Sequence, residues 1–418
     1  MENVTKKAIC PFAKVNGMEV EFNTPGFLKD PFPTLELLRE EAPVYYAALN
    51  TGKPYWLVTK YEDALMIFKD PRFSKVAPNA GASPTVASKL FSHVMLYMDG
   101  QDHTRLRQLI QKAFTPKLID ALRPRIQEIT NDLLDQFIAN GKMDIISDYA
   151  LPLPISMIAE LLGIPGEDKE LFRNWSNIIL NVDLKVSMEE RYQMMPGAIA
   201  GFTNYLQDII EKKRANPAND LITSLVNSKE GSDSMNEDEL MSTIFLLFAA
   251  GYETSVDLIG NGVLALIKNP EQLELLRNDP SLINTAVQEM LRITPPVSMA
   301  SERYATEDIE LNGSLIQKGD LVHISISSAN HDADKFTDPE IFDIQRKDNR
   351  HISFGYGAHY CLGASLGVVE AEIAINTLIK RIPEFSLGED IEQLEFKKNI
   401  IMPGLASLPI VFNVPSNV

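Results

Sequence analysis

The sequence predicts a mainly α-helical protein with a minor β part, and three observations carry that expectation. Apolar residues recur at helical spacing through most of the stretch from Asp99 to about Pro295. One helix signal within it continues for roughly 30 residues, a rod of about 45 Å that would cross the domain as its central helix. Strand-like runs rich in aromatic and β-branched residues are confined to the beginning of the chain and to the region after Pro296. No Gly/Ser- or Pro-rich linker, low-complexity tract or repeat divides the chain, so residues 1–418 are expected to form one domain. Its β-containing N-terminal part covers about 1–98 and its helical part about 99–418.

The elements follow in chain order. PTLELLREEA reads as helix, and PVYYAAL and PYWLVTKY read as strands. Residues 72–98 mix Pro, Gly and Ser with unperiodic apolar residues, the pattern of a long functional loop. Thr115-Pro116 is a start signal, with Thr as N-cap and Pro at the first position of a helix running toward Asn140. Residues 175–196, with Met188, Met194 and Met195, suggest a second mobile, apolar cover. The central helix begins at MNEDEL, where Asn236 caps and Glu237, Asp238 and Glu239 favour the positive end of the dipole. It stops at Asn269-Pro270. Beyond Pro296 come the strand-like pieces IELNG and LVHISIS, an irregular loop to Cys361, one more helix, and a β-rich tail ending SLPIVFNV.

Composition narrows the function. The net charge of -18 argues against nucleic acid or anionic lipid as partner. One basic island interrupts the acidity: between His103 and Arg125 stand Arg105, Arg107, Lys112, Lys117, Arg123 and Arg125 against Asp120, a surface suited to an acidic partner. MENVTKKAIC lacks the apolar core of a signal peptide, and no uninterrupted apolar run approaches a bilayer-spanning length. A cytoplasmic protein without a membrane span is expected. Its two cysteines, Cys10 and Cys361, are then free thiols.

Cys361 lies in FGYGAHYCLG, residues 354–363, immediately before the helical pattern GASLGVVEAE. A cysteine acts as ligand or nucleophile as thiolate, and a helix N-terminus favours that form. Gly355, Gly357 and Gly363 would let the backbone pass close to something large and flat. Zinc lacks a ligand set here, and His359 two residues away has no evident geometry as the base of a cysteine protease. An axial thiolate on haem iron needs one cysteine only.

The ten residues resemble the haem-binding signature of the cytochrome P450 family, Phe-Gly-x-Gly-x-His-x-Cys-x-Gly, with every fixed position filled. The resemblance implies that Cys361 is the proximal iron ligand, that Phe354 shields its sulfur beside Gly355, and that His359 reaches a haem propionate. AAGYETS, residues 249–255, resembles the family's oxygen-binding motif in the central helix. There the resemblance gives Thr254 the role of holding bound dioxygen and Glu253 that of relaying protons, with Ala250 and Gly251 against the haem. A glycine inside a helix costs about 1 kcal/mol relative to alanine, and Thr254 can bond the carbonyl of Ala250 and loosen the ladder. Taken without the motif, Glu253 would read as a solvent-facing acid. EMLR resembles the family's Glu-x-x-Arg, with Glu289 and Arg292 a buried pair bracing the cysteine loop. The arginine of the family's Pro-x-Arg-Phe segment is replaced by Ile341, leaving Arg346 to substitute. DHTRLR and SERYATED add His103, Arg107 and Arg303 as further propionate partners.

The resemblance covers essentially the whole chain and implies a single-domain cytochrome P450 fold of the soluble bacterial kind. It implies haem b as cofactor, O2 as co-substrate, and electrons from NAD(P)H delivered by a ferredoxin or flavodoxin and its reductase to a monomeric enzyme. The reaction implied is hydroxylation of a hydrophobic molecule: a polyketide, macrolide, terpenoid, steroid or fatty acid, with polyketide tailoring favoured. Its pocket would be lined by Leu246, Ala249, Ala250, Val297, Met299, Ala300, Ile401 and Met402. A peroxide-driven enzyme and a haem sensor or carrier are the alternatives, and the Glu253-Thr254 pair speaks against both.

Overall fold

The computed structural model describes residues 14–15, 18–22, 24–48, 54–78, 93–180, 188–230 and 233–414. Helix makes up 59% of the protein and strand 11%. The central helix spans Glu237–Lys268 and opens with a capping box. Asn236 Oδ1 accepts from Glu239 N at 2.9 Å, and the Glu239 carboxylate accepts from Asn236 N at 3.0 Å, so two otherwise orphaned donors are satisfied. Asn269 closes the helix, and Pro270 opens the next one, Pro270–Asn278. Most of the rod is buried because Pro152–Leu162, Ile283–Ile293 and Ala364–Arg381 pack against it. Glycine permits close approach: a Cβ on Gly262 would stand 2.7 Å from Met290 Sδ.

The helix announced by Thr115 is Pro116–Phe137, with Thr115 Oγ1 accepting from Leu118 N at 3.2 Å, and a 3-10 turn Ile138–Asn140 completes the expected length. Residues 175–196 turn out to be mainly helical rather than a loose cover. They belong to the helices Lys169–Leu180 and Met188–Ala215, with 181–187 outside the described residues. The reason is an aromatic seam: Phe172 packs 4.6 Å from Phe202 and 4.3 Å from Phe248 between ring centres. Arg191 then closes the first helix, donating to Ile178 O at 2.8 Å and Ile179 O at 3.0 Å. The 72–98 segment starts with strand Phe73–Ser74 and ends with a 3-10 turn Met95–Tyr97, its middle, 79–92, lying outside the described residues.

The five-stranded sheet runs Val44–Ala48, Pro54–Val58, Leu321–Ile324, Arg303–Ala305, Phe73–Ser74. Pro54–Val58 and Leu321–Ile324 pair in parallel, and the other neighbours are antiparallel. The N-terminal β part is therefore completed by strands from 303–324, and its packing does not end near residue 98. The second half of LVHISIS is not strand: Ser325 caps a short helix, Ile326–Ala329, through Ser328 N at 3.2 Å. A three-stranded sheet, Phe385–Leu387, Pro409–Phe412 and Lys142–Asp144, returns the C-terminal loop over the central helix.

Among the described residues, Ile145–Leu162 and Glu237–Lys268 are long and apolar enough by composition to cross a bilayer, but 67% and 61% of those windows are buried. Their apolar faces already serve the core.

Candidate active site

Cys361 lies just before the helix Ala364–Arg381, and its N–H closes the glycine loop on Phe354 O at 2.8 Å. Burial pushes the thiol up, while the N–H groups of Gly363 and Ala364 and the charge of Arg107 favour the thiolate. The side chain is nevertheless accessible. Gly355 and Gly357 have φ of 71° and 73°, the left-handed region. A Cβ on Gly357 would lie 3.2 Å from Phe68 O, so this glycine lets the loop pass over the helix Tyr61–Lys69. Gly363 differs, since among the described residues no atom beyond its chain neighbours lies within 4 Å of where its Cβ would stand.

The loop is braced from the Glu-x-x-Arg helix. Arg292 and Glu289 are both fully buried and joined by bonds of 2.9 and 2.8 Å. Arg292 Nη1 donates to Asn330 O at 3.0 Å, and the Asn330 amide bonds Ile352 N and Ser353 Oγ, each at 2.9 Å, directly before Phe354. Arg346 takes the place left by Ile341: its Nε donates to both Glu289 oxygens at 3.1 and 3.2 Å, and its remaining donors hold Thr337 O, Asp338 O and Ile341 O. Ile341 itself is exposed.

Four cationic or cationisable side chains converge above this loop from three elements: His103 and Arg107 from the helix Gly100–Ala113, Arg303 from its strand, and His359 from the turn Gly357–His359. The His103 and His359 rings are 4.1 Å apart, and Arg107 Nη2 donates to Tyr360 O at 2.7 Å. His103 is buried. His103 Nε2 and Arg303 Nε are buried without a hydrogen-bond partner among the described residues. Such atoms call for an acceptor. Burial pushes His103 down to about 4, and neighbouring positive charge adds to the effect, which a bound anion would offset.

Sequence reasoning missed two members of this cluster. Asp99 accepts from Ser74 Oγ and Lys75 N, each at 2.6 Å, and faces His359 Nε2 at 3.4 Å. Against burial, these partners hold its carboxyl well below the usual range. Its place immediately before a helix start was the available signal. Lys75 is buried, donates to Ser301 O and Glu302 O at 3.0 Å each, and is pushed down to about 7 by burial and by Arg303. Nothing in its aperiodic surroundings marked it.

These residues fit haem b. A single sulfur faces backbone N–H donors, a glycine leaves open space beside it, and the orphaned nitrogens of His103 and Arg303 suit two buried carboxylates.

On the central helix, Thr254 Oγ1 donates to Ala250 O at 2.9 Å. Glu253 is 8% exposed and meets Lys397 Nζ at 3.4 Å, so it does not face solvent. Gly251 has a packing reason: its Cβ would stand 3.3 Å from Ile158 Cδ1, where Pro152–Leu162 crosses. Ser255 Oγ donates to Glu370 Oε2 at 2.6 Å and ties this helix to the one following Cys361.

Of the expected pocket lining, Ala250 is exposed and Leu246, Ala249, Val297, Ile401 and Met402 are half-buried. Met299 and Ala300, at 2% and 7% exposed, are packed into the sheet-side core instead. Ile401 O accepts from Ser298 N at 2.8 Å, holding the two apolar segments together.

Comparison with known proteins agrees with this geometry. The family model for Cytochrome P450 matches residues 166–405. Cytochrome P450 CYP107DY1 of Priestia megaterium is 43% identical over 86% of this chain and 90% of its own. The polyketide biosynthesis cytochrome P450 PksS of Bacillus subtilis is 39% identical over 92% of this chain and 96% of its own. The solved structure of PksS from the bacillaene polyketide synthase superposes with a TM-score of 0.88, covering 94% of this chain and all of that one (100%). That of P450BioI with a fatty-acyl-ligated acyl carrier protein has a TM-score of 0.86 at 37% identity, covering 93% and 99%. With a cysteine loop, a cationic cluster and a central acid-alcohol pair on a matching scaffold, the chain belongs to the cytochrome P450 family and is a P450 monooxygenase.

Proposed function

We propose that the protein hydroxylates a hydrophobic acyl or polyketide-type molecule in the cytoplasm, with electrons from an external ferredoxin or flavodoxin system. When bound, haem supplies insertion of one oxygen atom of O2 into a C–H bond, the other leaving as water with two electrons and two protons. Cys361 would hold the iron, its sulfur charge steadied by the N–H groups of Gly363 and Ala364. His103, Arg107, Arg303 and His359 would hold the propionates, and Phe354 would cover the sulfur. Thr254 would offer its hydroxyl, and Glu253 its carboxyl, for carrying protons to the oxygen chemistry that haem supplies.

The observation that carries the substrate reading is the lining. Leu246, Ala249, Ala250, Val297, Ile401 and Met402 present no charge to a ligand and remain accessible. Such a surface recognises its ligand by burying apolar area, with few polar contacts to orient it. Relatives whose names state a role include PksS in polyketide biosynthesis and a vitamin D(3) 25-hydroxylase of Pseudonocardia autotrophica, and P450BioI was solved with a C16 acyl chain on its carrier. The test is optical: haem-loaded protein titrated with fatty acids, polyketides, terpenoids and steroids is expected to turn from low to high spin with long apolar acyl or polyketide chains. A response confined to short polar compounds would overturn the reading.

The electron donor's docking face is proposed around Lys112 and Lys117, both exposed, the first in the last turn of the helix that carries Arg107 and the second in the first turn of the next. Elsewhere in the basic island Arg105 pairs with Glu239, Arg123 with Glu372 at 3.3 Å and Arg125 with Glu160 at 2.8 Å.

A further inference from the structure

The acid of the acid-alcohol pair is anchored from outside its own helix. Lys397, brought in by the C-terminal loop and 8% exposed, places Nζ 2.8 Å from Asp257 Oδ1 and 3.4 Å from Glu253 Oε1. Glu253 and Asp257, four residues apart, lie on one face of the central helix. Asp257 is fully buried, and its Oδ2 has no partner among the described residues. The loop is shaped for this contact: Lys397 N donates to Gly404 O at 2.8 Å, and a Cβ on Gly404 would overlap the Asp257 carboxylate. Packing does not require such a cluster, since an apolar trio would avoid its desolvation cost.

Asp257 shares its ammonium partner with a second acid in a buried site, so the Asp257 carboxyl keeps a proton near neutral pH. Burial pushes Asp257 up to about 7, with Lys397 pulling the other way. Lys397 is held above its ordinary value because Asp257 and Glu253 outweigh its own burial. Tyr252, beside Glu253, is kept neutral by burial and by that acid, and Glu370 is engaged with Ser255.

We propose that Lys397 is a positioning residue for oxygen activation, binding Glu253 and Asp257 into one proton-holding cluster from which Glu253 is recharged. The proton that Glu253 gives toward Thr254 is replaced from the Asp257 carboxyl, which becomes a carboxylate and is reprotonated from solvent. This rests on the reading of Glu253 as the proton-delivering acid.

The test uses full-length, haem-loaded protein with NADPH, a ferredoxin and its reductase, and a compound that produces the spin change. Product formed per NADPH consumed is measured from about pH 5 to 9, alongside an infrared titration of protonated carboxyls that needs no turnover. Lys397→Met is expected to lower coupling about tenfold and, having removed a cation, to move both the alkaline limb and the carboxyl titration to higher pH. Asp257→Asn is expected to remove the carboxyl titrating at about 7 and to move the limb to lower pH, because Glu253 then has Lys397 to itself. Lys397→Arg should stay close to wild type. A structural role alone would not shift the limb in opposite directions. If Lys397→Met fails to fold, the Asp257→Asn limb and infrared titration decide. Wild-type coupling and limb in both variants, with Glu253→Gln uncoupled, would overturn the proposal; a fully coupled Glu253→Gln would instead overturn the reading beneath it.

Discussion

Glu370 carries a consequence for stability that a single residue can isolate. It is 1% exposed, accepts one hydrogen bond from Ser255, and is pushed up to about 8 by burial. Its folded-state value lies above the unfolded one, so the folded protein binds an extra proton between the ordinary carboxylate range and about 8. Its contribution is therefore fully present below that range, falls as pH rises toward 8, and is constant beyond. Glu370→Gln should flatten the dependence by about 4–5 kcal/mol across that window. Thermal melts of both proteins at matched pH check it: equal slopes would show that Glu370 is not held protonated. At this scale the motif residues were legible because their spacing is local. Glu253 with Thr254, and His103 with Arg107, sit within one turn of helix. Asp257 was half-legible, as an acid one turn beyond Glu253 in an apolar helix, whereas Lys397 is 140 residues from Asp257 and no local pattern reaches it.

At the level of elements, two adjoining helices carry the proposed docking surface. Gly100–Ala113 contributes Lys112, and Pro116–Phe137 contributes Lys117 in its first turn. Long-range attraction of this kind accelerates encounter and weakens with salt. Reversal of both lysines to Glu is expected to slow reduction by a ferredoxin about tenfold at low ionic strength and to flatten its salt dependence. Stopped-flow reduction measures this, and an unchanged rate and slope would move the docking face elsewhere. Helix starts and stops were the most readable features, because Asn236, Thr115 and Pro270 act on their own backbone neighbours. The tertiary context was not readable. LVHISIS looked like one strand, but Ser325 Oγ accepts from Ser328 N and the chain turns into helix. The methionines of 175–196 suggested a mobile cover, yet Phe172, Phe202 and Arg191 fold most of it into two helices.

Across the whole molecule, the five-stranded sheet explains why haem-side residues from distant parts of the sequence meet. Pairing of Arg303–Ala305 with Phe73–Ser74 sets Arg303 beside the Ser74-Asp99 contact, and Asp99 in turn faces His359. The central helix, tied through Ser255 to the helix that follows Cys361, puts the acid-alcohol pair and the sulfur on one scaffold. Both arrangements serve one claim, that the Cys361 thiolate is the ligand that gives the haem its oxygenase chemistry. The carbon monoxide difference spectrum of reduced, haem-loaded protein tests it most directly. The wild type should show the red-shifted band of a thiolate-ligated haem, and Cys361→Ser should lose it while the protein remains folded. An unaltered band in Cys361→Ser would contradict the account.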